Sequence, residues 1–316
     1  MSSQNFRIFF LSLLLFLFTL HTSRFTLHAQ QSPILRLDLR DPKNLKLMHF
    51  RTGTDPFREN KPPYPLRTGL ERLNASGSAQ FSAEGLAQLM EVLRGRRVVD
   101  VDLRQESHGF ADNLPVSWFA DHDMANKGKS LEEVENDEKR RLAALLNQGQ
   151  TTATVIKTVK DKQVDSPYPI TVKTVATERE LTEKSGVPYY RFTVTDHTRP
   201  TDAQVEEFLK WTKSLDPKAW LHFHCEAGDG RTTTFLVMYD ILKNAQNVGF
   251  IDIVKRQWLL GGIDLLTYPP KESWKYPLAV ERTEFLRNFY QFVKENGKES
   301  WAQWSAKKKK MVQQEM

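Results

Sequence analysis

Cysteine is almost missing from this 316-residue chain: Cys225 is the only one. An intrachain disulfide is therefore excluded, and the fold must bury a sufficient core without covalent staples. No His-x-x-x-His pairing and no cluster of aspartates points to a metal site, so neither a metal nor any other cofactor is expected. Internal repeats are absent. The one long apolar run, Ile8–Leu20, has thirteen residues and is too short for a comfortable membrane span. Nor does charge of one sign dominate: 45 Lys and Arg face 39 Asp and Glu, a net +6 at pH 7. That mild excess suits a small anionic substrate without requiring nucleic acid.

The apolar run follows Arg7 and reads as the core of a signal peptide, with a cleavage point after Ala29. An uncleaved anchor or a core helix is the plainer alternative. Removing residues 1–29 deletes Arg7 and Arg24 and no acids, leaving 43 basic against 39 acidic residues, or +4. The mature chain is expected in the periplasm or the medium, with no stable membrane association once the signal is gone.

What the chain does have is Leu221-His222-Phe223-His224-Cys225-Glu226-Ala227-Gly228-Asp229-Gly230-Arg231-Thr232. It reads as a buried strand, a seven-residue turn from Cys225 to Arg231, and a helix from Thr232. A lone cysteine after an apolar strand is usually a small buried hydrophobe. The glycines and the arginine change that reading. A tight loop feeding a helix N-terminus points backbone N–H groups inward and makes an anion site. Gly228 and Gly230 permit the positive φ angles and close approach such a loop demands. Arg231 offers a planar fork for two phosphate oxygens, which lysine lacks. The same N–H groups favour a thiolate at Cys225 and make it the candidate nucleophile. His224 and the Thr232 hydroxyl sit where they can hold the loop and the sulfur.

The rest of the chain alternates strand and helix patterns, an α/β organisation. Residues 30–65 are proline-rich and irregular. Ser82 caps an amphipathic helix over Glu84–Leu93, and Val98–Leu103 reads as a strand ending in Arg104-Gln105-Glu106-Ser107-His108. Those charges fit either the crevice of an open sheet or a locally paired loop. Ser130 and Glu133 make a capping box for a helix to Leu146. Residues 151–175 carry β-branched runs on either side of Lys160–Pro167, a hairpin pattern. A helix near Thr177–Ser185 and a strand Tyr189–Val194 lead to Thr195-Asp196-His197-Thr198-Arg199-Pro200. Asp196, one helix upstream of the cysteine loop, is the candidate general acid, because an expelled alkoxide must be protonated. By itself an Asp before His and Pro is more often a turn-former. Residues 251–304 read as mostly helical, broken at Gly261-Gly262, and Lys307–Lys310 as a disordered solubilising tail.

His224-Cys225-Glu226-Ala227-Gly228-Asp229-Gly230-Arg231-Thr232 resembles the phosphate loop of cysteine-dependent protein tyrosine phosphatases. With Trp220–Gly228 and Asp102-Leu-Arg-Gln-Glu-Ser-His-Gly109, it is similar to the bacterial tyrosine-phosphatase-like phytases, from about Leu66 to Trp304. The resemblance implies a phosphatase core, a largely parallel sheet flanked by helices, across residues 30–316. It also implies a small β-barrel subdomain inserted at about 115–180. It implies hydrolysis of myo-inositol polyphosphates through a phosphocysteine. Cys225, Arg231 and Asp196 would be catalytic. His224, Glu226, Ala227, Gly228, Asp229, Gly230, Thr232, His197 and Lys275 would bind phosphate or substrate, with no metal. A secreted protein tyrosine phosphatase and an idle phosphate-binding module are the alternatives. Two positions depart from the family pattern. Asp229 places a negative charge inside the loop, and Asn74 stands where an arginine would help, with Arg72 as a substitute.

Overall fold

The computed structural model describes residues 33–59, 62–159, 162–295 and 299–314, so the signal-peptide reading of residues 1–29 lies outside it. With strands and helices numbered in chain order, the strand ahead of the cysteine is β11 (Ala219–Cys225), and every one of its residues is buried. Burial on both faces is what an uninterrupted apolar run with histidines facing polar partners requires. β11 is the centre of a five-stranded sheet. Its neighbours are β3 (Ala75–Ala79) and β4 (Arg97–Asp102), both parallel to it. β10 (Tyr189–Arg191) lies parallel outside β4, and β2 (Arg51–Thr52) closes the other edge antiparallel to β3. The core is thus the expected largely parallel sheet, and the carboxyl ends of β4, β10 and β11 open on one side.

β3 is Ala-Ser-Gly-Ser-Ala, with no apolar alternation to announce a strand. Its small residues are a packing requirement. A Cβ on Gly77 would come within 2.8 Å of Thr232 Cγ2 and 2.9 Å of Leu236 Cδ1. The helix after the phosphate loop therefore lies directly on this strand.

Helices cover the sheet. α1 (Ala83–Val92) is capped by Ser82, whose hydroxyl accepts from Gly85 N. Capping boxes open α2 (Leu131–Gln148), α3 (Glu178–Lys184) and α4 (Asp202–Ser214), at Ser130/Glu133, Thr177/Glu180 and Thr201/Gln204. α5 (Gly230–Asn244) is almost wholly buried, its apolar residues packed beside buried Arg231, Thr232, Thr233, Thr234 and Asp240. α6 (Phe250–Leu259) and α7 (Tyr276–Lys294) pack on it. Phe192, Phe208, Phe223 and Phe235 interlock between sheet and helices at ring separations of 5.2–6.3 Å.

A second sheet has six strands in the order β8 (Lys162–Thr171), β7 (Gln150–Val159), β1 (Ile34–Leu37), β6 (Leu114–Phe119), β5 (His108–Ala111) and β9 (Val175–Ala176). Its pairing is open, running from β8 to β9, where a closed barrel was expected. It also reaches outside 115–180, because β1 from the proline-rich lead-in inserts between β6 and β7. The hairpin is longer than its sequence suggests. Residues 162–167, read as part of the connection, are paired strand, with Ser166 opposite Val155 and Pro167 opposite Thr154. Leu37, Val116, Leu142, Val155 and Ile170 fill the space between this sheet and α2.

The C-terminal segment corrects the reading of Lys307–Lys310 as a disordered tail. The lysines belong to α8 (Trp301–Gln314), whose Trp301 and Trp304 bury against α7 while Lys307 and Lys309 point to solvent and pair with Glu299 and Asp202. A run of lysines on an exposed face is compatible with helix. Trp301 is 2% exposed, so Trp301→Ala should cost about 3–5 kcal/mol of stability. A urea midpoint unchanged from the parent protein would show that α8 is not docked.

Candidate active site

The phosphate loop begins at Cys225, the last residue of β11, and enters α5 at Gly230. Its carbonyls are tied outward. Glu226 O accepts from Gln80 N at 3.0 Å, Ala227 O from the His49 ring at 2.8 Å, and Gly228 O from Arg51 Nη2 at 2.8 Å. In a trans peptide the N–H points opposite the carbonyl. The N–H groups of Ala227, Gly228 and Asp229 are therefore turned to the concave side, above the sulfur, as an anion site requires. Gly228 has φ 74° and its missing Cβ would sit 2.5 Å from Ala79 N and 2.6 Å from Ser78 O. No other residue fits there. Arg51 was not singled out from the sequence. It is buried, and burial lowers it to about 10, which still leaves it charged at working pH.

Cys225 is 3% exposed and accepts a hydrogen bond from Thr232 Oγ1 at 3.2 Å. Arg231 is 2% exposed and is gripped from behind. Its Nη1 and Nη2 donate to the two oxygens of Glu106 at 2.6 and 2.9 Å. Its Nε lies 3.1 Å from Asp196 Oδ1. Glu106 also accepts from Arg104 Nε at 2.7 Å, and Arg104 is anchored by Asp38 and Gln80, each at 2.7 Å. Burial opposes ionisation of Glu106, but the charges of Arg231 and Arg104 outweigh it and hold the carboxylate well below its usual range. The Arg104-Gln105-Glu106 string is thus a buried scaffold that aims the arginine.

Asp196 follows β10 and lines the same cavity as Cys225 and Arg231. Its second oxygen is 3.0 Å from His197 Nε2. His197 adopts φ 63°, and His122 and Asp123 across the cleft are also left-handed, at 56° and 65°. Three non-glycine residues in that region at one cleft indicate backbone strain held by the surrounding structure.

The cavity measures about 1050 Å³. Glu226, Ala227, Asp229, Gly230, His197 and Lys275 line it, as expected from the sequence. Gly228 and Thr232 do not, and act beneath the loop. His224 is not brought to the site at all. It is fully buried on the opposite face of β11, 2.7 Å from Glu178 Oε1 and 3.4 Å from Asp100 Oδ1. Burial pulls its pKa down, but those two carboxylates overcome that and hold it well above 6.5. It cannot touch a bound phosphate; as an imidazolium it is part of the loop's foundation.

Among the lining residues not singled out from the sequence are Arg282 and Asp123. Arg282 reaches from α7 toward Gly230, where a Cβ would lie 3.0 Å from its Nη1, and its buried Nε has no hydrogen-bond partner. The signal was its spacing, two helical turns beyond Lys275. Asp123 is raised to about 8, by burial first and then by the charge of Glu106, and Glu226 to about 7, by burial and then Asp38. Neither shift could be read from sequence. Asn74, flagged as a departure, lies outside the cavity lining with φ 50° at the start of β3, and Arg72 is exposed.

Two buried sets, Asp100/Glu178/His224 and Asp102/His108/Glu178, bring ligand-type atoms within 4.8 Å of one another. Their geometry is that of direct ion pairs. His224 Nε2 and Glu178 Oε1 form an ion pair at 2.7 Å, and Asp102 is already taken by Tyr189 at 2.6 Å and Arg191 at 3.0 Å.

The family model for PTP-like phytases, described by the words inositol hexakisphosphate, matches residues 101–243. A PTP-like phytase from Bdellovibrio bacteriovorus superposes with a TM-score of 0.69 at 35% identity, over 87% of this chain and 95% of that one. The chain belongs to the PTP-like phytase family. The PTP-like myo-inositol phosphatase of Mitsuokella multacida, solved with myo-inositol-(1,3,4,5)-tetrakisphosphate, gives 0.81 at 38% identity over 88% of this chain and 48% of that one. The effector protein hopD2 of Pseudomonas syringae pv. tomato is 30% identical over 84% of this chain and 58% of its own length. The chain therefore spans about half to three-fifths of these two longer proteins.

The two raised acids set a pH dependence. Below about 7 both are protonated and neutral; as pH rises through about 7 and about 8, Glu226 and then Asp123 each add a negative charge to the cleft. Affinity for a polyanion should fall on that limb by about tenfold per charge. Combining Glu226→Gln with Asp123→Asn should flatten it, measured as KM against pH. A slope unchanged in the double variant would contradict this origin.

Proposed function

We propose that the chain is a phosphatase that hydrolyses phosphate monoesters of myo-inositol polyphosphates through a phosphocysteine intermediate. The observation that carries the reading is the convergence of Cys225, Arg231 and Asp196 in one cavity, with Lys275 and Arg282 on its wall. The family supplies the substrate class.

The chemistry follows from the positions. The substrate phosphate enters the loop, where the inward N–H groups donate to its oxygens and the charge of Arg231 neutralises them. The Cys225 sulfur attacks phosphorus, the bond from phosphorus to the ester oxygen breaks, and Asp196 gives that oxygen its proton. Water then attacks the phosphocysteine while Asp196 takes the proton back, releasing inorganic phosphate and regenerating the sulfur nucleophile. Asp196 must first leave Arg231 Nε, its partner at 3.1 Å, so that phosphate can take its place. Residues 1–29, read as a signal peptide, put this activity in the periplasm or medium.

One observation favours a second reading, phosphotyrosine. Trp274 stacks on His122 at 4.3 Å and meets His197 edge-on at 5.0 Å, an aromatic wall beside the catalytic aspartate. Such a wall suits a planar ring.

The test is phosphate release from inositol hexakisphosphate and from a phosphotyrosine peptide, with Cys225→Ser as the reference. Release from the inositol substrate, abolished by the substitution, is expected; preference for the peptide would transfer the protein to the second reading, and silence on both would leave a binding module. Asp196→Asn should lower kcat on inositol phosphates by about 10²–10⁴-fold. The loss should be much smaller on p-nitrophenyl phosphate, whose leaving group needs no proton. Equal losses on both would remove Asp196 as the acid.

A further inference from the structure

We infer that Asp229 is a specificity residue that selects inositol phosphates carrying a free hydroxyl, not a second phosphate, beside the phosphate being removed. The inference rests on the inositol-phosphate reading above.

The geometry leaves this carboxylate no structural task. It occupies the N-cap position of α5, yet it makes no capping hydrogen bond, having φ −98° and ψ −94°. Its side chain is 42% exposed and lines the cavity that contains Cys225, four residues away. The one basic partner facing it is His49, with Nδ1 at 3.6 Å. That nitrogen is already engaged at 2.8 Å with Ala227 O, so it donates to the carbonyl and, when the ring is protonated, offers Asp229 charge at 3.6 Å. Arg51 lies near, but its donors go to His49 O, Gly228 O and Thr233 Oγ1. The acceptor lone pairs of Asp229 therefore open toward whatever stands next to a phosphate held in the loop.

On an inositol ring that neighbour is a hydroxyl or a phosphate. A hydroxyl can donate to the carboxylate, a charge-assisted hydrogen bond. A phosphate has only acceptors and carries a charge of about −1.5 to −2 near neutral pH, so it meets like charge and no donor. Lys275, Arg282, Arg36 and Arg40 also line the cavity, so phosphates elsewhere on the ring have basic partners while the substituent nearest Asp229 meets its carboxylate.

The experiment measures kcat/KM for inositol hexakisphosphate, in which every position is phosphorylated, and for a myo-inositol tetrakisphosphate with free hydroxyls. p-Nitrophenyl phosphate, which has no neighbouring substituent, serves as the reference substrate. In Asp229→Asn the hexakisphosphate-to-tetrakisphosphate ratio should rise by about tenfold. His49→Gln removes the compensating cation without removing the carboxylate, and at acidic pH should move the ratio the other way. A parent protein active on inositol phosphates whose ratio shifts in neither variant would overturn the inference and leave the function intact. A parent protein inert on every inositol phosphate but active on the reference would overturn both.

Discussion

Arg231 has five N–H donors, and four of them sit on the two Nη atoms that face Glu106. That pairing is 2–3% exposed, and removing one member of such a buried pair costs about 3–5 kcal/mol. The guanidinium is consequently fixed in plane and rotation before any anion arrives. The rest of the site is built around that orientation. Arg104 fixes Glu106 from behind, and Asp38 and Gln80 fix Arg104. Asp38 directly follows β1, so the second sheet reaches Arg231 through three successive ion pairs. This explains why a proline-rich lead-in is threaded between two strands of that sheet: it delivers a carboxylate to the back of the scaffold.

A second buried layer lies under β11. Glu178 on α3 stands between His224 and His108, and Asp102 and Glu138 hold Arg191. His108 is raised to about 9 against burial by Asp102, while His222, between Ser76 and Ser78, is kept neutral by burial and the charge of His224. Neighbouring histidines two residues apart on one strand thus hold opposite charge states. Alternation along β11 sends His222 and His224 to this polar layer and Leu221, Phe223 and Cys225 to the apolar face of α5. A polar layer held by ion pairs in this way defines one register for the strand, because a one-residue slip would put imidazolium against phenylalanine.

The cysteine loop was legible in the sequence because its chemistry is local: nucleophile, glycines and arginine are contiguous. Caps were legible for the same reason, and those expected at Ser82 and Ser130 are present. What could not be read depends on distant residues. β3 has no hydrophobic pattern because its identity is set by the Thr232 and Leu236 side chains that lie on it. Arg51 approaches the loop from 174 residues before Cys225 with no local mark of its destination, and Arg282 from 57 after, marked only by its helical spacing from Lys275. His224 was misplaced for an instructive reason. Adjacency to Cys225 suggested contact with the sulfur's ligand, whereas the period of a strand sends neighbours to opposite faces. The β-barrel implied by the resemblance is not confirmed: β-branched alternation reports strands and turns, and among the described residues the strands pair in open order from β8 to β9.

The resting arrangement of Asp196 bears on how the site works. One oxygen lies against Arg231 Nε and the other against His197, so in the empty site the aspartate occupies the place where a phosphate oxygen would meet the arginine. In the proposed cycle a bound phosphate competes for the same Nε and brings like charge against the carboxylate, so it displaces Asp196 from the arginine. The strain at His197, φ 63°, sits one residue along the chain from that carboxylate, at the point where the loop must turn to follow it. In this arrangement the substrate's own charge drives the exchange of partners, and the buried grip of Glu106 keeps Arg231 still while its second partner is exchanged.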